Sequence, residues 1–145
     1  MKLRLALTAF ASAAVAALVI AVGVSGQANS IGINGFFASL EGADPNGAGA
    51  FSATFKGKKL CFGVSVKNIK KPIAAHIHKG GKKADGPVVV TLEWPSKGGH
   101  AATSACVEVA KGDRQAILDK PGGYYVNVHT ADFPNGAIRG QLFAK

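Results

Sequence analysis

Three of the chain's four histidines fall in two stretches whose residue types could hold a metal ion. The first is Ala75-His76-Ile77-His78-Lys79-Gly80. The second is Tyr124-Tyr125-Val126-Asn127-Val128-His129-Thr130. Both are rich in Ile, Val and Tyr and are bounded by Gly and Pro, which predicts β-strands. Residues two apart on a strand share a face. His76 and His78 therefore point one way, and Ile73, Ala75 and Ile77 the other. In the second stretch His129 shares a face with Asn127 and Tyr125, against Val126 and Val128. The aliphatic sets can feed a core while the imidazoles lie on the opposite face. If the strands are neighbours, His76, His78 and His129 converge. Imidazole nitrogen suits Cu(II), Zn(II) and Ni(II), and an i, i+2 pair chelates when a third ligand comes from elsewhere. The alternative use is structural, since a neutral imidazole donates and accepts at once and can pin a strand or loop. His100, in a glycine-rich loop, is a further candidate nitrogen.

Other side chains have two uses as well. Arg139 lies opposite Ile138 and Leu142; its planar guanidinium suits an anion beside a metal, or Asp132 or loop carbonyls. Lys67, Lys70, Lys71, Lys79, Lys82 and Lys83 flank the first histidine strand. They could steer anions or touch an acidic polymer, or simply form a solvated rim that resists aggregation. Trp94, Tyr124 and Tyr125 could form a binding surface, although aromatics in strands commonly pack. No serine has a G-x-S-x-G setting, no phosphate-binding loop occurs, and no carboxylate pair can be located for glycoside chemistry.

The chain that must position these residues opens with a leader. Lys2 and Arg4 precede an apolar run from Leu5 to Val24, and Gly26-Gln27-Ala28 offers a small-x-small cleavage site. This is the layout of a secretory signal peptide over residues 1–28; an uncleaved membrane anchor is the alternative. Residues 29–145 suffice for one domain. The leader carries two cations and no acid, so removing it lowers the net charge from +9 to +7. A basic exported domain attracts anionic polymers, surfaces or small anions. Export and the lack of a helix-turn-helix, zinc-finger or RNA-recognition signature argue against nucleic acid. The membrane enters only through an uncleaved leader.

Cys61 and Cys106 are the only cysteines. In an exported protein such a pair reads as a disulfide; the alternative is two free buried thiols. Leu60, Phe62, Val64 and Val66 alternate with Cys61, and Val107 and Val109 with Cys106, so both thiols leave the aliphatic face. A bridge closing about 45 residues contributes on the order of 4 kcal/mol in the chain-entropy model.

The remaining segments also alternate. Strands are expected over Ile31–Leu40, around Phe51–Phe55, over Leu60–Val66 and Ile73–His78, from Val88 to Trp94, over Ala102–Ala110, across the second histidine stretch, and over Ala137–Phe143. Lys56-Gly57-Lys58 joins the second and third as a hairpin. One short helical turn is expected over Arg114–Leu118, capped by Asp113. This makes about eight short strands separated by turn signals. The expected fold is all-β: an antiparallel immunoglobulin-like or Greek-key β-sandwich or barrel, preceded by an N-terminal signal helix.

The two histidine stretches, with Gly86-Pro87-Val88-Val89-Val90 between them and Gly136-Ala137-Ile138-Arg139-Gly140-Gln141-Leu142 after them, resemble the CHRD domain. That domain is named for chordin and also occurs as single secreted bacterial proteins. The resemblance covers most of the chain after the leader. It implies an immunoglobulin-like sandwich or barrel and a secreted binding or structural module with no settled activity. From its basic surface, the partner expected is an anionic extracellular polymer or another envelope protein. A second, weaker resemblance is to copper-zinc superoxide dismutase, which has a His-x-His strand, a later strand-end His and a C-terminal Arg. It implies copper at His76, His78 and His129, with Arg139 guiding the anion. The long loop that carries the bridging His and the zinc ligands in those enzymes has no counterpart here.

Overall fold

The computed structural model describes residues 35–81, 83–94 and 102–145. The proposed signal helix, the start of the first expected strand, Lys82 and the loop with His100 lie outside them. Nine strands are present: β1 (Gly35–Leu40), β2 (Ala48–Lys56), β3 (Lys59–Lys67), β4 (Pro72–Lys79), β5 (Val88–Leu92), β6 (Ala102–Glu108), β7 (Tyr124–Thr130), β8 (Ile138–Gln141) and β9 (Phe143–Ala144). Helix α1 spans Lys111–Asp119, and a short 3-10 turn, Pro121–Gly123, leads into β7.

The strands form two antiparallel sheets. One has the order β6-β3-β2-β1-β9 and the other β5-β4-β7-β8. A single bridge between Glu41 and Arg139 ties them at one corner. Neither sheet closes on itself, so the barrel alternative is corrected: the fold is a sandwich. The helical part of the expectation is corrected too: the described helix is not N-terminal. The helix of the described residues is internal, between β6 and β7, and it runs two full turns rather than one. Ala110 is its N-cap and makes no side-chain cap hydrogen bond; Asp113 lies in the first turn instead. There its carboxylate meets the positive end of the helix dipole. Ile117, fully buried, docks the helix onto the core.

The core follows from period-two alternation. Phe36, Ala38 and Leu40 of β1 face inward, as do Phe51 and Ala53 of β2 and Leu60, Phe62, Val64 and Val66 of β3. The other sheet answers with Ala75, Ile77, Val90, Leu92, Val126, Val128 and Ile138. Fully burying an aliphatic or aromatic side chain of this kind contributes about 1.5–3 kcal/mol. Phe51 and Phe62 stack with centroids 6.5 Å apart, and Phe36 meets Phe55 edge-on at 5.7 Å. Gly57, at φ +61°, makes the tight turn between β2 and β3, where Lys56 pairs with Lys59. A positive φ there matches the twist of the hairpin.

Two places depart from simple alternation. Ile73, expected on the core face, is 60% exposed. The β4–β7 register shifts between Pro72 and Ala74, so one extra residue is accommodated and Pro72 turns inward instead. A second shift, between Ile77 and His78 opposite β5, leaves Val88 exposed while Val90 and Leu92 stay buried. The last expected strand divides: β8 pairs with β7 in one sheet, and β9 crosses to pair with β1 in the other.

Candidate metal centre

β4 and β7 are hydrogen-bonded neighbours at the middle of the four-stranded sheet. Ala74 pairs with His129, His76 with Asn127 and His78 with Tyr125. The inward positions, Ala75, Ile77, Val126 and Val128, are sealed in the core. His76, His78, Tyr125, Asn127 and His129 therefore share the outward face. That face is not bare, because the β4–β5 and β7–β8 connections fold over it. Tyr125 is 1% and Asn127 2% exposed despite their outward direction.

The three imidazoles meet there. One ring nitrogen from each of His76, His78 and His129 lies within 4.8 Å of the other two. His76 Nδ1 is 3.1 Å from His129 Nε2. Two nitrogens on a common ion at about 2.0–2.1 Å stand about 3–4 Å apart in tetrahedral or planar geometry. The trio thus needs a contraction of roughly an ångström at its widest pair to close on such an ion.

Backbone carbonyls select the presented nitrogens. His78 Nδ1 donates to Gly86 O at 2.8 Å, and His129 Nδ1 donates to Pro134 O at 2.8 Å. With the hydrogen fixed on Nδ1, each neutral ring offers a lone pair at Nε2. His78 Nε2 is buried and has no hydrogen-bond partner among the described residues. A metal-bound histidine ordinarily donates its other N–H to a carbonyl or carboxylate in this way. Protonation is also disfavoured. Burial lowers the His76 pKa below its usual value, helped by His129 and His78. Burial likewise lowers that of His129; the Pro134 carbonyl opposes this, and His78 and Arg139 reinforce it. Neutral imidazole is the ligand form. The chemistry of the donor set fits a late first-row metal ion: three neutral nitrogens, no carboxylate, and two rings only half-buried.

The β7–β8 loop is itself held firmly. Asn127 Nδ2 donates to Asn135 O at 3.1 Å, and Thr130 Oγ1 accepts from Phe133 N at 3.2 Å. Gly136 sits at φ +122°, and a Cβ there would overlap the Asn127 amide. Only glycine meets both conditions.

Arg139 is anchored in the loops. It donates to Ala84 O and Asn135 O, each at 3.1 Å, and lies 3.5 Å from Asp85. Its guanidinium carbon is 5.0 Å from the centroid of the Tyr125 ring. Asp132, the expected acid, pairs with Lys70 at 2.8 Å. Lys67, Lys70, Lys71, Lys79 and Lys83 are all exposed at the two ends of β4. The aromatics separate: Tyr124 and Trp94 pack with the core, and Tyr125 lies on the histidine side. Sequence reasoning missed Gly86, Pro134 and Asn135, which act through backbone carbonyls and carry no side-chain signal.

On the far sheet, Cys61 and Cys106 are register partners on β3 and β6 and form a disulfide; there is no free cysteine. No curated protein and no solved structure matches the chain. The model of the CHRD domain matches residues 36–142, from the first core phenylalanine of β1 to Leu142 beyond β8. That span takes in the core of both sheets and all three converging histidines, and the chain belongs to the CHRD-domain family.

Proposed function

We propose that this CHRD-domain module binds copper outside the cytoplasm, through His76 Nδ1, His78 Nε2 and His129 Nε2. The observation that carries the reading is His78 Nε2, a buried acceptor with no partner among the described residues on a ring whose other nitrogen is already committed. Leaving a buried polar atom unsatisfied costs about 1–3 kcal/mol, which a bound ion would remove. The three-imidazole set and the disulfide, at home in an oxidising compartment, favour copper among the candidates. Copper bound there would supply one-electron chemistry between Cu(II) and Cu(I). Superoxide dismutation, with Arg139 guiding the anion, is the enzymatic form of this reading. It draws less support, because Arg139 is engaged by the Ala84 and Asn135 carbonyls.

The test is isothermal titration of the purified protein with Cu(II), in parallel with Zn(II) and Ni(II). The expected result is one Cu(II) per chain, bound tighter than Zn(II), and lost in His76→Ala, His78→Ala and His129→Ala. Binding that survives all three substitutions would show that the ion sits elsewhere.

A second reading rests on the lysines. Lys67, Lys79 and Lys83 are exposed, and with Lys70 and Lys71 they flank the histidine strand at both ends. Contact with an acidic envelope polymer is proposed for this rim. Retention on such a polymer should disappear in a Lys67→Glu/Lys79→Glu/Lys83→Glu variant, and equal retention would reject the rim as the contact.

A further inference from the structure

The metal reading leaves Tyr125 without a role. Its side chain is 1% exposed and lies on the histidine side of β7, outside the main core cluster. The ring stacks on His78, with centroids 4.9 Å apart and planes 8° from parallel. The stack follows from the register, in which His78 and Tyr125 are cross-strand partners. The phenol oxygen accepts a hydrogen bond from Gly86 N at 3.1 Å. The carbonyl of the same glycine accepts from His78 Nδ1 at 2.8 Å. One residue thus holds both rings, the phenol by its N–H and the imidazole by its C=O. Gly86 suits that place because a Cβ would overlap the Lys79 carbonyl oxygen. Arg139 secures the same loop two residues earlier, at Ala84 O.

A phenylalanine would fill this space and keep the stack. What it could not do is accept the Gly86 N–H. The hydroxyl therefore joins the stacked pair to the carbonyl that fixes the His78 tautomer. We propose that Tyr125 is a positioning residue for the metal site: its hydroxyl holds Gly86, and Gly86 holds His78 with Nδ1 protonated and Nε2 presented. The consequence for metal affinity rests on the copper reading above; the tautomer claim does not. Outer partners of metal-bound histidines fix tautomer and ring orientation, and removing one lowers affinity about 10–100-fold.

Two measurements on the full chain test this. The first is imidazole nitrogen-15 NMR of metal-free wild type and Tyr125→Phe. Wild-type His78 should be the Nδ1–H tautomer, and the variant should show a mixture. The second is Cu(II) titration with electron paramagnetic resonance of the same pair. Tyr125→Phe should bind about tenfold more weakly and with altered hyperfine coupling, while the metal-free variant still folds. A variant with the wild-type tautomer, affinity and spectrum would overturn the inference and leave Tyr125 as packing. Should wild type bind no Cu(II), the copper reading fails by itself, and the tautomer comparison still decides the role of Tyr125. Tyr125→Leu, which also removes the stack, should show a larger tautomer shift; if it does not fold, Tyr125→Phe carries the test.

Discussion

His76 Nδ1 and His129 Nε2 stand 3.1 Å apart across the β4–β7 pair. His129 gives its Nδ1 hydrogen to the Pro134 carbonyl, so its Nε2 is an acceptor and neutral His76 must be the donor. The metal-free protein therefore holds a hydrogen between two of the three nitrogens proposed to receive the ion. Metal binding requires that hydrogen to move to His76 Nε2, with the ring otherwise in place.

The depressed histidine pKa values set a direction for stability against pH. His76 and His129 both lie below the usual value in the fold. Between their folded and unfolded values the unfolded chain binds more protons, so stability rises with pH there. The contribution is complete above about pH 6.5 and is lost as pH falls through the folded values. The urea midpoint of the metal-free protein should fall between pH 7.5 and pH 5, and His76→Gln/His129→Gln should flatten that fall. An unchanged slope in the double variant would place the acid sensitivity elsewhere.

The disulfide is separate from the site, on the other sheet. Cys61→Ser/Cys106→Ser should lower unfolding free energy by about 2–4 kcal/mol, since the bridge closes a long loop. Cu(II) affinity should be unchanged once the variant is folded. Denaturant melts and copper titration of the same sample check both halves; a stable variant with weakened copper binding would contradict this separation.

Gly136→Ala combines an unfavourable backbone angle with an overlap onto Asn127. A loss of about 1–3 kcal/mol or more is expected. Because Asn127 holds Asn135 next to Pro134, the His129 ring should also lose its fixed orientation. Denaturation curves and His129 ring NMR signals test the two effects.

Arg139→Lys keeps the charge but cannot serve two carbonyls with a planar fork. The expected result is a stability loss of about 1–2 kcal/mol from the lost hydrogen bonds. If Arg139 mainly guides anions, the variant would instead keep its stability and lose copper-dependent superoxide turnover. Melting and turnover assays on one preparation separate the two roles.

How much of this could be read from the residues depends on where each instruction is written. Alternation at Leu60, Phe62, Val64 and Val66 fixes the face on which Cys61 stands, because side-chain direction on a strand is local. His76 and His78 share a face for the same reason, and Val126 and Val128 put His129 on the same outer side. Ile73 misled because a bulge is set by pairing with β7, not by its own neighbours. Helix α1 outran its expected turn because the buried Ile117 stabilises a segment whose Gly112 weakens local propensity. The Lys70–Asp132 and Arg139–Asp85 pairs needed the loops in place: Asp132 was the acid expected for Arg139, and the folded loops bring it to Lys70 instead. The roles of Gly86, Pro134 and Asn135 could not be read from the residues because they work through backbone groups, not side chains.

The most direct test of the central claim is X-ray absorption with electron paramagnetic resonance on the protein loaded with one equivalent of Cu(II). Three imidazole nitrogens at about 2.0 Å are expected, a signal that His78→Ala abolishes. A spectrum without imidazole scattering, or one that His78→Ala leaves unchanged, would contradict the claim.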